Sequence, residues 1–131
     1  MPNKTLQLQW IKNEQNNEWF DFLKLNLNSS YFIGKLGIYV IWYTSSVSGV
    51  SKVIRLGQGN IGERLTEHRN NPAILNYSSL GTLKVTWALV GYNDLTELNL
   101  DGVEAYLAKI YEPLIGDRFP TAGRIPVNPI Q

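Results

Sequence analysis

Residues 37–69 constrain the fold more than any other stretch, because they hold two apolar runs, a polar turn and a short charged segment. The first run, residues 38–43, is almost wholly apolar or aromatic, which is typical of a central strand buried on both faces. The glycine-containing segment 44–51 leads to a second run, residues 52–57, and this pattern predicts an antiparallel hairpin. Alternation divides the first run between the two faces of the sheet. Ile38, Val40 and Trp42 are expected on one face, and Tyr39, Ile41 and Tyr43 on the other.

The hairpin leads directly into a predicted helix over residues 61–69. Asn60 is a favourable N-cap, and Glu63 three residues later completes the pattern of a capping box. Two pairs of residues each lie one turn apart on this helix. Ile61 and Leu65 form the expected buried seam, and Arg64 and His68 flank it.

Two further elements complete the pattern of the domain. Alternation over residues 82–90 predicts a third strand. Asp101 and Glu104 have the spacing of a second capping box, which predicts a helix that continues to about residue 111. The order β-β-α-β-α over residues 34–131 therefore predicts an α/β (α+β) domain, in which helices flank a small three-stranded sheet.

Residues 1–33 precede this domain as an N-terminal extension. Leu6, Leu8 and Trp10 alternate with polar residues, which predicts a short half-buried strand. Residues 13–26 carry apolar side chains at helical spacing, which predicts a helix. The apolar face of that helix either covers the core or forms a dimer contact.

The composition limits the class of protein. A chain of 131 residues with 44% hydrophobic residues and four Trp is expected to form one domain with a substantial core. No apolar run approaches the roughly 18 residues that span a bilayer. The first ten residues lack the apolar centre of a secretion signal, so we expect a cytoplasmic protein that does not associate with membranes. The absence of cysteine excludes disulfides, thiolate zinc sites and cysteine nucleophiles.

The net charge of +1 bears on possible partners. Proteins that bind nucleic acid usually carry a basic surplus, because neutralising phosphates drives their affinity. Binding of nucleic acid by this chain would therefore rely on a local basic patch, a second copy of the chain or a partner protein.

Six polar or charged residues are candidates for chemistry, although each also has an ordinary structural explanation. A strand tyrosine is commonly a core residue, arginines are commonly solvated, and a histidine in the last turn of a helix interacts favourably with its dipole. A glutamate near a helix start caps it, and an asparagine near the end of a chain stabilises a turn. The six candidates are Tyr39, Arg55, Arg64, His68, Glu104 and Asn128.

The order of these residues along the chain resembles that of the GIY-YIG nuclease family. Residues 37–39 match the first signature triplet as they stand, and residues 55–57 occupy the place of the second. Residues 57–68 resemble the glycine-then-helix segment of the family. The resemblance covers residues 34–128. The other matched positions are the catalytic arginine (Arg64), the histidine that often follows it (His68), the metal-binding glutamate (Glu104) and the terminal asparagine (Asn128).

The resemblance implies a metal-dependent endonuclease that hydrolyses DNA phosphodiester bonds. Glu104 is expected to hold Mg²⁺ (or Mn²⁺), which suits one carboxylate, water molecules and a phosphate oxygen. Arg64 is expected to neutralise the charge that develops on the phosphate. Tyr39 is expected to take a proton from the attacking water or to orient it, after Arg55 and the metal have lowered its pKa. Asn128 is expected to orient groups around the site.

Arg55 departs from the family pattern, in which tyrosine is usual at this place. The change leaves Tyr39 as the only signature tyrosine, and the turn between the triplets is also longer than usual. The alternative is therefore a catalytically degenerate module of the same fold that binds nucleic acid or protein. An enzyme of unrelated chemistry is disfavoured, because the chain has one histidine, no cysteine and no P-loop. Specificity for DNA is expected to come from the extension, from a homodimer or from a partner protein.

Overall fold

The described residues form a mixed α+β fold around one antiparallel sheet. The computed structural model describes residues 7–89, 97–116 and 123–130. The strands are β1 (Phe20–Asp21), β2 (Leu36–Ser45), β3 (Ser51–Asn60) and β4 (Gly81–Leu89). The helices are α1 (Ile61–Arg69), α2 (Pro72–Leu75) and α3 (Glu97–Tyr111), and short 3₁₀ turns occur at Ser30–Phe32 and Asn76–Ser79.

Strand β2 lies inside the sheet, as its apolar composition predicted. The strand order is β1-β4-β2-β3, and β2 pairs antiparallel with both β3 and β4. The predicted division of β2 between two faces is confirmed, because each face packs in a separate buried cluster. Tyr39, Ile41 and Tyr43 pack with Ile61 and Leu65 of α1. Ile38, Val40 and Trp42 pack with Leu100, Val103 and Leu107 of α3.

The sheet has four strands in the described residues, whereas the sequence predicted three. Strand β1 pairs with β4 through Phe20 opposite Val85 and Asp21 opposite Lys84. Phe22, directly after β1, is fully buried in the same cluster as Tyr39. Residues from the extension therefore belong to the sheet and to its core.

The helix predicted over residues 13–26 is wrong. Asn13 and Glu18 form an isolated antiparallel bridge, and Asn17 between them adopts the left-handed conformation with φ 56°. The side-chain oxygens of Asn13 and Asn16 each accept a hydrogen bond from the backbone N–H two residues on. This turn chemistry competes with helix formation, and here it outweighed the helical spacing of the apolar residues.

The strand predicted around Leu8 and Trp10 is also absent from residues 7–12. Both side chains are nevertheless half-buried, against the cluster on the α3 face. The hydroxyl of Thr86 in β4 donates to the carbonyl of Ile11 at 2.7 Å. This segment therefore packs along the sheet without joining it as a strand.

Parts of two sequence predictions lie outside the described residues, namely Leu6 of the predicted first strand and Val90 at the end of the predicted third strand.

Helix α1 has the bounds that its capping residues predicted. The Asn60 side-chain oxygen accepts a hydrogen bond from the Glu63 N–H at 3.1 Å. Ile61 and Leu65 are fully buried, which confirms the predicted seam. The opposite flank of the helix is therefore free to present polar side chains.

Helix α3 begins earlier than predicted. It starts at Glu97, so Asp101 and Glu104 lie inside it, and the predicted capping box at these two residues is wrong. Inside a helix, residues three apart lie on neighbouring positions of one face. At 15 residues α3 is the longest described helix, and no helix of the described part is both long and apolar enough to cross a membrane.

Replacing Asn60 by alanine is expected to lower the free energy of unfolding by about 1 kcal/mol, because the first turn of α1 loses its side-chain acceptor. Chemical denaturation measures this change. Asn60→Ser is the matched control, since serine also caps helices, and it is expected to retain most of the stability. Equal losses in both variants would show that the cap does not stabilise α1.

Candidate functional site

Five of the six candidate residues meet where the β2–β3 hairpin joins helix α1. Tyr39 comes from β2 and Arg55 from β3, and α1 supplies Arg64 and His68. Glu104 comes from α3, and its carboxyl lies within electrostatic range of Arg55 and Arg64, whose charges also lower the pKa of Tyr39. Four elements thus contribute to one site.

A β-bulge lies next to Arg55, which is on the Tyr39 face because it pairs with Ile41. The register shifts by one residue between Ile41 and Trp42, so that Ile41 lies opposite Arg55 while Trp42 lies opposite Val53. The extra residue, Ile54, packs in the cluster that contains Tyr39 and Ile41. Bulges commonly re-aim side chains next to functional sites. Here the bulge lets Ile54 fill the core on the same face as Arg55.

Gly57 makes room for the phenol of Tyr39. The two residues lie opposite each other in the β2–β3 pair, and a Cβ at position 57 would lie 2.5 Å from the Tyr39 hydroxyl oxygen. Such a contact is too short for any side chain. The phenol therefore occupies the space that a side chain on β3 would otherwise fill.

The Tyr39 hydroxyl is hydrogen-bonded to His68. The hydroxyl oxygen lies 2.6 Å from Nε2 of the imidazole, and the two rings are tilted at 50° with their centroids 5.2 Å apart. Only 2% of Tyr39 is exposed. The bond thus joins the buried centre of the sheet to the last turn of α1.

Burial raises the pKa of Tyr39 above its usual value of 10.0, although the nearby Arg55 and Arg64 lower it. Arg55 thus acts in the direction that the sequence predicted, and the larger opposing effect is the cost of removing the phenolate from water, which the sequence did not reveal. The further lowering expected from a bound metal ion stays a prediction. Tyr39 is a neutral phenol at physiological pH.

Burial also lowers the pKa of His68, and the charge of Arg55 adds to this effect, so that the pKa falls from 6.5 to about 4. The imidazole is therefore neutral at physiological pH. A neutral imidazole has one ring nitrogen without a proton. The Tyr39–His68 pair is consequently uncharged, and one hydrogen lies between the Tyr39 oxygen and Nε2 of His68.

Arg55 has a buried nitrogen without a partner. Its Nε atom is buried and makes no hydrogen bond within the described residues. Buried polar atoms are normally satisfied, and an exception needs an explanation. Arg55 therefore has an N–H group free to bind an anion, next to the buried Tyr39.

Arg64 lies at the outer side of the site. Its side chain is 51% exposed and makes a 3.5 Å ion pair with Glu67 one turn along α1. A Cβ at Gly59 would lie 3.1 Å from the Arg64 Nε, so the glycine allows the guanidinium to lie close to the end of β3. An exposed pair of this kind is weak and exchanges readily for a phosphate.

Glu104 is buried, with 9% of the residue exposed to solvent. Burial raises its pKa, and a hydrogen bond from Gln58 together with the charges of Arg55 and Arg64 opposes that rise. Within the described residues no cation lies within ion-pair distance of Glu104. The ionised carboxylate is therefore removed from water without a direct counter-charge, and its ionised form is destabilised.

Gln58 and Asp101 belong to the same site, and the sequence analysis did not propose them. The Gln58 amide nitrogen donates to the Asp101 carboxylate at 2.5 Å, and Asp101 raises the pKa of Glu104. Two features of the sequence point to them in retrospect. Gln58 lies between two glycines near the end of β3, and Asp101 precedes Glu104 by one helical turn.

Asn128 has a different environment from the other five candidates. Its side-chain oxygen accepts a hydrogen bond from the Leu8 N–H at 2.5 Å, and its amide nitrogen donates to the Leu8 carbonyl at 2.8 Å. The Asn128 carbonyl also accepts a hydrogen bond from the Trp10 indole at 3.0 Å. In the described residues Asn128 thus fixes the extension to the chain near its end, and it makes no hydrogen bond to the other candidates.

Comparison with known proteins found no match for this chain among family models, curated proteins or solved structures.

Gly57→Ala is expected to lower the free energy of unfolding by about 1–3 kcal/mol, because the new methyl group displaces the buried phenol of Tyr39. Gly123→Ala is the matched control, since a Cβ there meets nothing within 4 Å. The control should change stability by no more than about 0.5 kcal/mol. Chemical denaturation measures both variants, and a Gly57→Ala protein as stable as the wild type would contradict the close packing of Tyr39 on β3.

Glu104→Gln is expected to raise the melting temperature near neutral pH. The pKa of Glu104 is raised by folding, so its ionised form lowers stability above the folded-state pKa and has no such effect below its ordinary value of 4.5. The advantage of the variant should therefore shrink as the pH falls towards that value. Glu14→Gln, at an exposed position, is the control and should show no such pattern. A Glu104→Gln protein that melts below the wild type at neutral pH would show that the carboxylate stabilises the fold.

Proposed function

We propose that the protein is a metal-dependent endonuclease of the GIY-YIG type, which hydrolyses DNA phosphodiester bonds. One observation supports this most strongly. Two guanidinium groups, from Arg55 and Arg64, exert their fields on both a buried phenol and a buried carboxylate, Tyr39 and Glu104. Phosphodiester hydrolysis needs the same groups: a proton acceptor for water, cations for the phosphate and a carboxylate for a metal ion.

The residues around Glu104 fit a hard divalent cation. Glu104 has no ion-pair partner among the described residues, and burial makes its ionised form costly. Mg²⁺ typically binds through one or two carboxylates and keeps water and phosphate ligands. Glu104 would hold the ion, with Asp101 one turn away, and the bound ion would supply positive charge to the phosphate oxygens.

Arg55 and Arg64 bind the scissile phosphate in this proposal. A planar guanidinium can donate two parallel hydrogen bonds to phosphate oxygens. Arg55 has a buried, unpartnered Nε, and Arg64 has only a surface pair with Glu67 to give up. Both groups are therefore available to the negative charge that develops during hydrolysis.

Tyr39 and His68 move the proton of the attacking water. The water donates to the Tyr39 oxygen while the phenol passes its own hydrogen to Nε2 of His68, so the phenol stays neutral throughout. The imidazole of His68, with a pKa of about 4, is a weak base before substrate binds. A bound phosphate offsets the charges of Arg55 and Arg64, which raises the pKa of His68 and makes it a better acceptor.

The alternative is a degenerate module of the same fold that binds nucleic acid or protein without cleaving it. The observation in its favour is Arg55, which stands where a second signature tyrosine is usual and leaves Tyr39 as the only signature tyrosine. The two proposed functions differ in what they require of Tyr39 and Glu104. The nuclease needs both residues for catalysis, whereas the binding module does not.

DNA is the proposed substrate, and the proposed location is the cytoplasm. A net charge of +1 gives little general attraction to phosphates. Specificity therefore comes from a homodimer, a partner protein or the extension.

Nicking of supercoiled plasmid in Mg²⁺ or Mn²⁺ is expected for the wild type. Tyr39→Phe should lower the rate about 100-fold or more, because the variant loses only the hydroxyl that relays the proton. Glu104→Gln should abolish nicking. Tyr43→Phe on the same strand face and Glu14→Gln at an exposed position are matched controls that should retain full activity.

The same assay separates the two candidates. Nicking that persists unchanged in Glu104→Gln would come from a contaminating nuclease and would contradict the proposal. A wild type that binds DNA with either metal but never nicks it would favour the degenerate module.

A further inference from the structure

A second concave site lies on the face of the sheet opposite Tyr39. It is a cavity of about 610 Å³ between the turn end of the β2–β3 hairpin and the last turn of α3. Trp42 of β2 and Val53 of β3 are cross-strand neighbours that line it. Tyr111 of α3 and Trp19 of the extension line it as well. A volume of this order is typical of sites that bind small molecules or single groups of larger ones.

The walls of this cavity are aromatic. Trp19 and Trp42 form an edge-to-face pair with ring centroids 5.6 Å apart and an interplanar angle of 82°. Tyr111 is held in place because its hydroxyl accepts a hydrogen bond from the Ile130 N–H at 2.8 Å. Aromatic walls fixed in this way suit a flat, unsaturated group, because stacking needs rigid faces.

The cavity is also cationic. Lys84 lies opposite Trp42 and lines it, and the Lys12 ammonium lies 4.4 Å from the centre of the Trp19 ring. Within the described residues neither of these two lysines makes an ion pair. One acidic residue, Glu112, lies at the same cavity. Unpaired lysines around tryptophans favour a ligand that is both flat and negatively charged.

Helix α3 connects this cavity to the candidate catalytic site. Glu104 and Tyr111 lie seven residues apart on α3, which corresponds to about 10 Å along the helix axis. A nucleic-acid strand rises about 3.4 Å per nucleotide in a duplex, so the two sites are a few nucleotides apart. A chain of nucleotides is thus long enough to occupy both.

We infer that this cavity binds an unpaired base and its phosphate from a single-stranded segment of nucleic acid. The inference rests on the proposed function and deepens it, because it specifies that the substrate has a single-stranded part close to the cleaved bond. The base stacks on Trp19, the less buried of the two tryptophans, and Lys12 and Lys84 neutralise the adjacent phosphates. A paired base does not fit, since its partner strand shields it from the aromatic walls.

Equilibrium binding of a fluorescein-labelled 12-nucleotide oligothymidylate tests this inference, in metal-free buffer so that no cleavage occurs. The wild type should bind this strand more tightly than the matching duplex or an abasic strand of equal charge. Trp19→Leu should weaken binding of the oligothymidylate about 5-fold to 150-fold, the range of one lost stacking contact. It should leave binding of the abasic strand nearly unchanged.

A second variant keeps the test independent of any effect of Trp19 on folding. Lys12→Gln/Lys84→Gln should reduce the slope of log Kd against log salt concentration by about 1.4, because two phosphate contacts are lost. Lys24→Gln, an exposed lysine outside this cavity, is the matched control and should keep the wild-type slope.

An unchanged salt slope in the double variant, or equal affinity for the single strand and the duplex, would overturn the inference. Neither result depends on hydrolysis. A protein that passes this test but never nicks DNA would contradict the proposed nuclease and leave the single-strand site standing.

Discussion

The hydrogen bond between Tyr39 and His68 is the interaction on which the candidate site depends. It forms only because β3 has a glycine opposite Tyr39, so the phenol lies across the strand and reaches α1. Arg55 lies on the same face because it pairs with Ile41, two positions along β2 from Tyr39. A single hairpin therefore determines where the phenol, the imidazole and the first guanidinium meet, and the other elements bring groups to that point.

Much of this fold follows from sequence pattern, and the failures have identifiable causes. The two faces of β2 and the bounds of α1 could be predicted because alternation and N-capping act over a few residues. The extension could not, because asparagine turn chemistry in residues 13–18 competed with helical spacing and prevailed. The bulge at Ile54 leaves no mark in the sequence, since it depends on how two strands pair.

The site was predictable as a set of residues but not as an electrostatic environment. The order of the motifs brought Tyr39 and Glu104 to attention, whereas their raised pKa values follow from burial that only the folded chain reveals. The same holds for Gln58, which joins the site through a contact with Asp101 across more than forty residues. Asn128 matched a motif position, yet in the structure its side chain binds the backbone of Leu8.

The central claim is that the neutral imidazole of His68 accepts a hydrogen bond from the buried phenol of Tyr39. The charges of two nearby guanidinium groups act on both rings. The chain contains one histidine, so a nitrogen-15 NMR titration of the imidazole reports on His68 alone. The account predicts a titration midpoint near the pKa of about 4, and a neutral ring throughout the physiological range. A midpoint close to 6.5, the ordinary value for histidine, would contradict the buried pair and with it the proton relay.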